Sequence, residues 1–199
     1  MKFTKIPETT FSELQLNAGI IVKNFDPKAD TIISSDILGA TTGGISFTAT
    51  PSYNDYGADI DNAPKNTKEL KRLDGWTATL SGTFISVNGD LVKSLVAGAD
   101  FITHEEQTGS KVEQIKPRND IDIDDFADIW WVGDYSDKND DTAAGCMAIH
   151  LINALSTGGF SIKTADRAKG QFAFSYEAHY SIDAQDNVPF EIYIKTVTA

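Results

Sequence analysis

The chain has 199 residues, of which 41% are hydrophobic, and a formal net charge of -12 at pH 7. This length and apolar content exclude a disordered chain and predict one folded domain over residues 1–199. The acidic balance argues against a protein that wraps nucleic acid by neutralising its phosphates.

The first predicted element is a strand. Leu14, Leu16 and Ala18 alternate with polar residues before the apolar run 20–22, which predicts a strand that becomes buried on both faces. Residues 1–13 form an N-terminal arm in which we expect no signal peptide. No run of ~18 apolar residues occurs in the sequence, so we expect no contact with a membrane.

Two segments, 44–52 and 76–87, alternate apolar residues with hydroxyl residues. Successive side chains of a strand point to opposite faces, so each segment has one apolar face and one uncharged polar face. The polar positions are Ser46, Thr48, Thr50, Thr77, Thr79, Ser81 and Thr83. Because Thr is a good strand residue, an ordinary solvated sheet face is the alternative to a functional surface.

Residues 53–68 predict a long loop between these two strands. The segment is rich in Asn, Asp, Gly, Pro and Lys, and loops of this length are usually functional or disordered. Its tyrosines favour an interface over a mobile surface excursion, because aromatic residues are enriched at interfaces. The candidate interface residues are Tyr53, Asn54, Asp55, Tyr56, Asp59, Asp61 and Lys65.

One helix follows. Leu91, Val92, Leu95 and Val96 recur at helical spacing, with Asn88 or Asp90 as N-cap and Gly98 as the stop.

The second half of the chain predicts further strands. Residues 101–103 and 112–116 form a short pair, 129–132 a further strand, and 144–155 a buried strand for which a helix is the alternative. Residues 160–163, 172–182 and 190–195 predict a three-stranded meander, with the aromatic residues of the middle strand on one face.

The acidic run 120–141 contains nine aspartates and one lysine, Lys138. Its start copies a calcium-binding EF-hand loop, but the sixth position is Asp125 where glycine is required and the twelfth is Trp131 where glutamate is required. We therefore expect a solvated acidic loop and no metal. The pair Trp130–Trp131 is typical of a core or interface anchor.

Catalytic motifs are absent from the sequence. His104, His150 and His179 are isolated, with His179 expected to form a surface pair with Glu177, and Cys146 lies in an apolar run without an activating neighbour. The single cysteine excludes an internal disulfide, and no Cys/His cluster has zinc spacing. We expect no enzyme and no cofactor, although carboxylate pairs for glycoside hydrolysis depend on geometry and leave a small hydrolase open.

The order of these segments resembles the major tail tube proteins of long-tailed, siphovirus-type bacteriophages. The resemblance covers most of the chain and includes the predicted meander over 159–180. It is carried by the segments Ile6-Pro7-Glu8-Thr9-Thr10-Phe11, Leu14-Gln15-Leu16-Asn17-Ala18-Gly19, Leu38-Gly39-Ala40-Thr41-Thr42-Gly43-Gly44, Leu73-Asp74-Gly75-Trp76 and Leu80-Ser81-Gly82-Thr83-Phe84.

The resemblance implies a mainly β (α+β) fold, a β-sandwich or half-barrel with one flanking helix and a long loop between two long strands. It implies hexameric rings that stack into a tube conducting DNA from capsid to host. The hydroxyl positions would border the channel or an inter-subunit face, and the loop 53–68 would contact the next ring. Partners would be other copies, a tape measure protein, a tail tip or initiator protein, a tail terminator and transiently passing DNA. Assembly in the host cytoplasm would place the protein in the virion.

A β-sandwich binding module is the main alternative, either carbohydrate-binding or decorating a capsid. Such a module would expose an aromatic platform, for which the candidates are Tyr53, Tyr56, Trp130 and Trp131.

Overall fold

In a computed structural model, the described residues fold into antiparallel β structure with one α-helix. The structure describes residues 6–7, 10, 14–15, 17–29, 31–105, 111–135 and 145–196. Its elements are β1 (Ile20–Val22), β2 (Ile37–Gly39), β3 (Thr41–Asp55), β4 (Lys71–Phe84), α1 (Gly89–Leu95), β5 (Ala99–Glu105), β6 (Lys111–Pro117), β7 (Ala127–Tyr135), β8 (Gly145–Ser156), β9 (Ser161–Lys163), β10 (Gln171–Glu177) and β11 (Phe190–Lys195).

Nine strands form one sheet in the order β2-β1-β7-β8-β10-β4-β3, with β11 paired to β8 and β9 paired to β10. Strand β8 connects two layers of this sheet. Residues 146–151 pair with β11, whereas Leu155 and Ser156 pair with β10. The core lies between the layers, where Trp131 and Leu151 of one half share a cluster with Leu80 and Tyr176 of the other. The arrangement is sandwich-like, and β5 and β6 form a separate two-stranded ribbon.

Helix α1 covers one end of the core. Its predicted start is confirmed at Asn88, whose side-chain oxygen accepts a hydrogen bond from the Leu91 N–H at 2.7 Å. Leu91 and Leu95 are fully buried in the core. Asp90, the other capping candidate, forms an ion pair with Lys23 at 2.6 Å instead, and this contact lowers the pKa of the Asp90 carboxyl.

The two adjacent tryptophans lie on opposite faces of β7, as strand geometry requires. Trp131 belongs to the central cluster and donates from Nε1 to the Ala18 carbonyl at 2.9 Å. Trp130 packs on the outer face with Val22 and, at a ring-centroid distance of 5.7 Å, with Phe25. Both are more than nine-tenths buried, so the expected role of a core anchor is confirmed and neither forms an exposed platform.

The helix alternative for residues 144–155 is excluded, because β8 pairs with β7 on one side and β11 on the other. The short pair 101–103 and 112–116 is confirmed and longer, as β5 and β6. The first strand is shorter than predicted: β1 has three residues, although Ile21 and Val22 are fully buried as expected.

The predicted three-stranded meander is wrong. Strand β9 does pair with β10, but β11 pairs with β8, where Phe190 packs against Phe47 and Trp76. Strand β10 also ends at Glu177, and the apolar alternation beyond it is misleading, because Ile182 is 82% exposed in a 3-10 turn. A local pattern specifies a strand but not its neighbour.

The predicted acidic loop 120–141 is interrupted by β7, which occupies its centre. Before β7, residues Ile123–Asp125 form a 3-10 turn. Asp122 and Asp125 form ion pairs with the Arg118 guanidinium, and a carboxylate oxygen of Asp100 lies 3.4 Å from the same group. Residues 136–141 lie outside the described residues. Within the part of the chain that the structure describes, His, Cys, Asp and Glu side chains form no cluster of three suited to a metal ion. No helix in that part has the length and apolar character to cross a bilayer.

Candidate functional site

The seven predicted hydroxyl residues share one face of the β3–β4 pair. Three cross-strand pairs bring them together directly, Ser46 with Ser81, Thr48 with Thr79 and Thr50 with Thr77, and Thr83 pairs with Thr42. Residues paired in an antiparallel ladder project to the same side. We call the set Ser46, Thr48, Thr50, Thr77, Thr79, Ser81 and Thr83 the hydroxyl face.

The opposite side of the same strands is apolar and holds the hydroxyl face in place. Ala78, Leu80 and Phe84 of β4 are fully buried. Phe47 of β3 packs against the core, opposite Leu80 in the register. A one-residue slip would bury the hydroxyls and expose these apolar groups, so the register is strongly specified.

Strand β10 extends the face on the other side of β4. Ser175 lies beside Ser81, Ala173 beside Thr83 and Glu177 beside Thr79. Glu177 therefore contributes a half-buried carboxylate to a surface that is otherwise uncharged over these positions. Sequence reasoning missed Thr42, Ser175 and Glu177, because a two-residue bulge at Gly43–Gly44 displaces Thr42 and nothing in the local pattern indicates that β10 pairs with β4.

The β3–β4 hairpin extends beyond the body of the protein. Its last contacts with the body involve Trp76, whose backbone N–H donates to the Tyr180 hydroxyl at 2.9 Å and whose ring packs edge-on against Phe190. Farther out, beyond an irregularity in the register between Ser52 and Tyr53, Tyr53 and Leu73 pair across the strands, and they are 52% and 50% exposed. The Lys71 ammonium lies 4.7 Å from the Tyr53 ring centroid. Tyr53 and Leu73 therefore leave about half of their surface exposed on the outer part of the hairpin.

The hairpin tip, residues 56–70, is a series of turns closed by a hydrogen bond from Tyr56 N–H to the Leu70 carbonyl at 3.1 Å. Asp55 organises it: its carboxylate accepts from the backbone N–H groups of Asn66 and Gly57, both at 3.0 Å. These hydrogen bonds, with a smaller contribution from Lys71 and Lys65, hold the pKa of the Asp55 carboxyl below its usual value. The tip is therefore a folded loop with local bonds of its own.

The predicted loop 53–68 needs correction at both ends. Tyr53, Asn54 and Asp55 belong to β3, and β4 begins at Lys71, so the loop is the hairpin tip 56–70. Asp55 has an internal role and is half-buried. The other candidate interface residues are exposed, namely Tyr53, Asn54, Tyr56, Asp59, Asp61 and Lys65.

Strand β3 forms the edge of the large sheet. All 15 of its residues have a neighbouring strand on one side only within the described part of the chain. A long unpaired edge is a template for pairing with another chain, and natural proteins usually shorten or block it. Pro51, which lacks an N–H, is the main interruption along this edge.

The histidines take part in contacts that the sequence does not indicate. His150 stacks on Trp130 at 3.9 Å between ring centroids, and its Nε2 lies 3.0 Å from the Asp128 carboxylate. The expected pair of His179 with Glu177 is wrong, because the His179 Nδ1 lies 3.2 Å from the Asn153 carbonyl. Burial raises the pKa of the Cys146 thiol, so this cysteine is not activated as a nucleophile.

The alternative of a binding module with an exposed aromatic platform loses two of its four candidate residues, because Trp130 and Trp131 are buried in different clusters. Tyr53 and Tyr56 remain exposed, at the outer end of the hairpin.

Comparison with protein-family models and with curated proteins gives no match to this chain.

Proposed function

We propose that this chain is a structural protein of a phage tail tube, which assembles with copies of itself into stacked, hexameric rings around a channel for DNA. It would be made in the host cytoplasm and end in the virion. Its partners would be a tape measure protein, a tail tip or initiator protein and a tail terminator. No catalytic role is part of this proposal.

The observation that carries the proposal is the hydroxyl face on an extended sheet. A channel wall for DNA must be hydrated without attracting phosphates, because each cation near a phosphate adds affinity and slows passage. Three cross-strand hydroxyl pairs with Glu177 beside them meet this requirement. The chain's net charge of -12 also disfavours attraction of DNA phosphates.

The sheet topology supports a ring. In the order β3-β4-β10-β9, neighbouring strands are antiparallel, so the outer strands β3 and β9 run in opposite directions. Pairing the β3 edge of one copy with the β9 edge of the next would therefore be antiparallel and would keep every hydroxyl face on the same side. A head-to-tail contact of this kind closes into a ring when the rotation permits.

The hairpin tip supports stacking of the rings. It lies beyond the body of the protein, it is folded by its own hydrogen bonds, and it presents Tyr56 together with acidic and basic groups. A preorganised loop loses little conformational entropy on contact with the next ring.

Hydrogen exchange tests the edge contact. In dilute monomer we expect the β3 amides that face away from β4 to exchange fast, and in assembled material we expect them to be protected. The inward-facing β3 amides provide the internal control, because they bond to β4 in both states. Equal protection of the outward amides in monomer and assembly would contradict the edge contact.

A further inference from the structure

Strand β9 carries an apolar pair that is exposed although it lies on the core side of the sheet. Ile162 pairs across the strands with Phe172, a buried core residue, so the two side chains share a side. Phe160, just before β9, packs against the same Phe172 ring at 6.1 Å between ring centroids. Phe160 and Ile162 are nevertheless 45% and 54% exposed. We call these two residues the β9 patch.

Strand β11 carries a second exposed pair on the core side of its own layer. Ile192 pairs with the core residue Ile149, and Ile194, two positions farther along the strand, faces the same way. Phe190 at the start of β11 packs against the core, whereas Ile192 and Ile194 are 47% and 65% exposed. We call Ile192 and Ile194 the β11 patch.

The edge contact between copies would bring the two patches together. When β9 of one copy pairs with the β3 edge of the next and the hydroxyl faces stay on one side, the β9 patch lies on the same side of the sheet as Phe47 of β3. Strand β11 lies over that side, because Phe190 contacts Phe47 at 5.7 Å between ring centroids. The β11 patch follows Phe190 along the strand, so it is placed to cover the β9 patch of the next copy.

The segments that flank the two patches have opposite charge. Residues 163–170, which connect β9 to β10, contain three cations and one carboxylate, although the whole chain has a net charge of -12. Residues 182–191, which lead into β11, contain three carboxylates and no cation. All seven of these charged side chains are exposed. Complementary charges of this kind favour the approach of a second copy and set its orientation.

We propose that the β9 patch of one copy packs against the β11 patch of the next, so that the apolar core of each sandwich continues into its neighbour. This inference rests on the proposed self-assembly and names the side chains that stabilise it. The contact joins two different patches of the same chain, so it is heterologous, and each copy supplies one patch to each of its two neighbours.

The test uses the full chain and measures, by sedimentation velocity, the concentration at which half of the protein is assembled. Ile162→Asp and Ile194→Asp each place a carboxylate inside the contact, where a buried charge without a partner is costly. We expect each variant to raise that concentration about tenfold or more. Both side chains are more than half exposed in the single chain, so the melting temperature of dilute monomer should stay the same. Ile123→Asp, at a residue that is 89% exposed and outside both patches, is the matched control and should assemble like the unchanged protein.

Mixing the two variants separates a lost contact from a folding defect. The Ile194→Asp protein keeps its β9 patch and the Ile162→Asp protein keeps its β11 patch, so an equimolar mixture should form a dimer at concentrations at which neither variant associates alone. A mixture that stays monomeric would overturn the proposal.

The unchanged protein distinguishes this proposal from self-assembly as such. If it assembles, and Ile162→Asp and Ile194→Asp assemble at the same concentration as Ile123→Asp, the contact between the two patches is wrong while self-assembly stands. If the unchanged protein stays monomeric at every concentration, self-assembly is contradicted, and the contact between the patches with it.

Discussion

At the level of single residues, one carboxylate holds the hairpin tip together. Asp55 accepts backbone hydrogen bonds from Gly57 and Asn66. In Asp55→Asn the amide retains one oxygen and loses the charge, so charge-assisted bonds to two donors become weaker or are lost. We expect the Gly57 and Asn66 amides to exchange faster, as measured by NMR hydrogen exchange, while the amides of β8 keep their protection.

The same carboxylate makes the tip sensitive to acid. Its pKa is lowered in the folded protein, so its stabilising effect is fully present above the unfolded value of about 3.9 and is lost as pH falls through the lower folded value. Protection of Gly57 and Asn66 should therefore be constant near neutral pH and disappear in acid. Asp59→Asn changes an exposed carboxylate of the same tip and is the control, because it should leave the pH dependence of this protection unchanged. If Asp55→Asn also left the pH dependence unchanged, Asp55 would not be the group that makes the tip sensitive to acid.

Some side chains have partners that lie far away in the sequence, and Asp128 is the clearest case. Asp128 accepts from the Asn153 N–H and contacts His150, both at 3.0 Å, where an irregularity between Ala127 and Ile129 interrupts the β7–β8 ladder. These partners are more than twenty positions away in the chain. Side-chain polarity alone does not identify them, whereas Asn88 as a cap was predictable because its partner lies three residues away.

At the level of elements, the cap of α1 gives a direct test. Asn88 accepts from Leu91 and donates from Nδ2 to the Leu38 carbonyl at 3.1 Å, so it joins the helix to β2. Asn88→Ala should lower the free energy of unfolding by about 1 kcal/mol in urea denaturation. Asn119→Ala, an exposed asparagine outside any helix or strand, is the matched control. Equal stability of the two variants would show that the cap contributes nothing.

The hairpin tip should be separable from the fold. Replacing residues 58–68 with a short turn removes none of the buried core residues, so we expect an unchanged melting temperature and unchanged amide signals in β8. Ring stacking should be lost, which electron microscopy would show as single rings in place of tubes. Tubes of normal length from this variant would exclude the tip from the ring–ring contact.

Periodicity predicted most elements and few of their neighbours. Alternation located β3, β4 and β10, because each buries one face. Strand β8 was predicted from its apolar character, with a helix as the alternative that periodicity left open. Periodicity did not show that β8 would pair first with β11 and then with β10, since that choice depends on how two layers close over Leu80, Phe174 and Tyr176. The hydroxyl face was visible in the sequence, but its cross-strand pairs required the register.

At the level of the whole molecule, a channel that lets DNA pass requires a hydroxyl face without cations. Thr48→Lys places a cation on that face in every copy, opposite Thr79. Assembled tubes should then retain double-stranded DNA in a co-sedimentation assay, and the retention should fall with salt because it depends on counterion release. Thr48→Gln adds length without charge and is the control. Equal retention by both variants would place the face away from the DNA path.

Negative-stain electron microscopy across a concentration series, read with the solution mass, is the measurement that tests self-assembly. We expect self-assembly into hollow rings or tubes that become more abundant as concentration rises. A solution mass that stays at the 21.6 kDa of one chain at every concentration, with no rings on the grid, would contradict it.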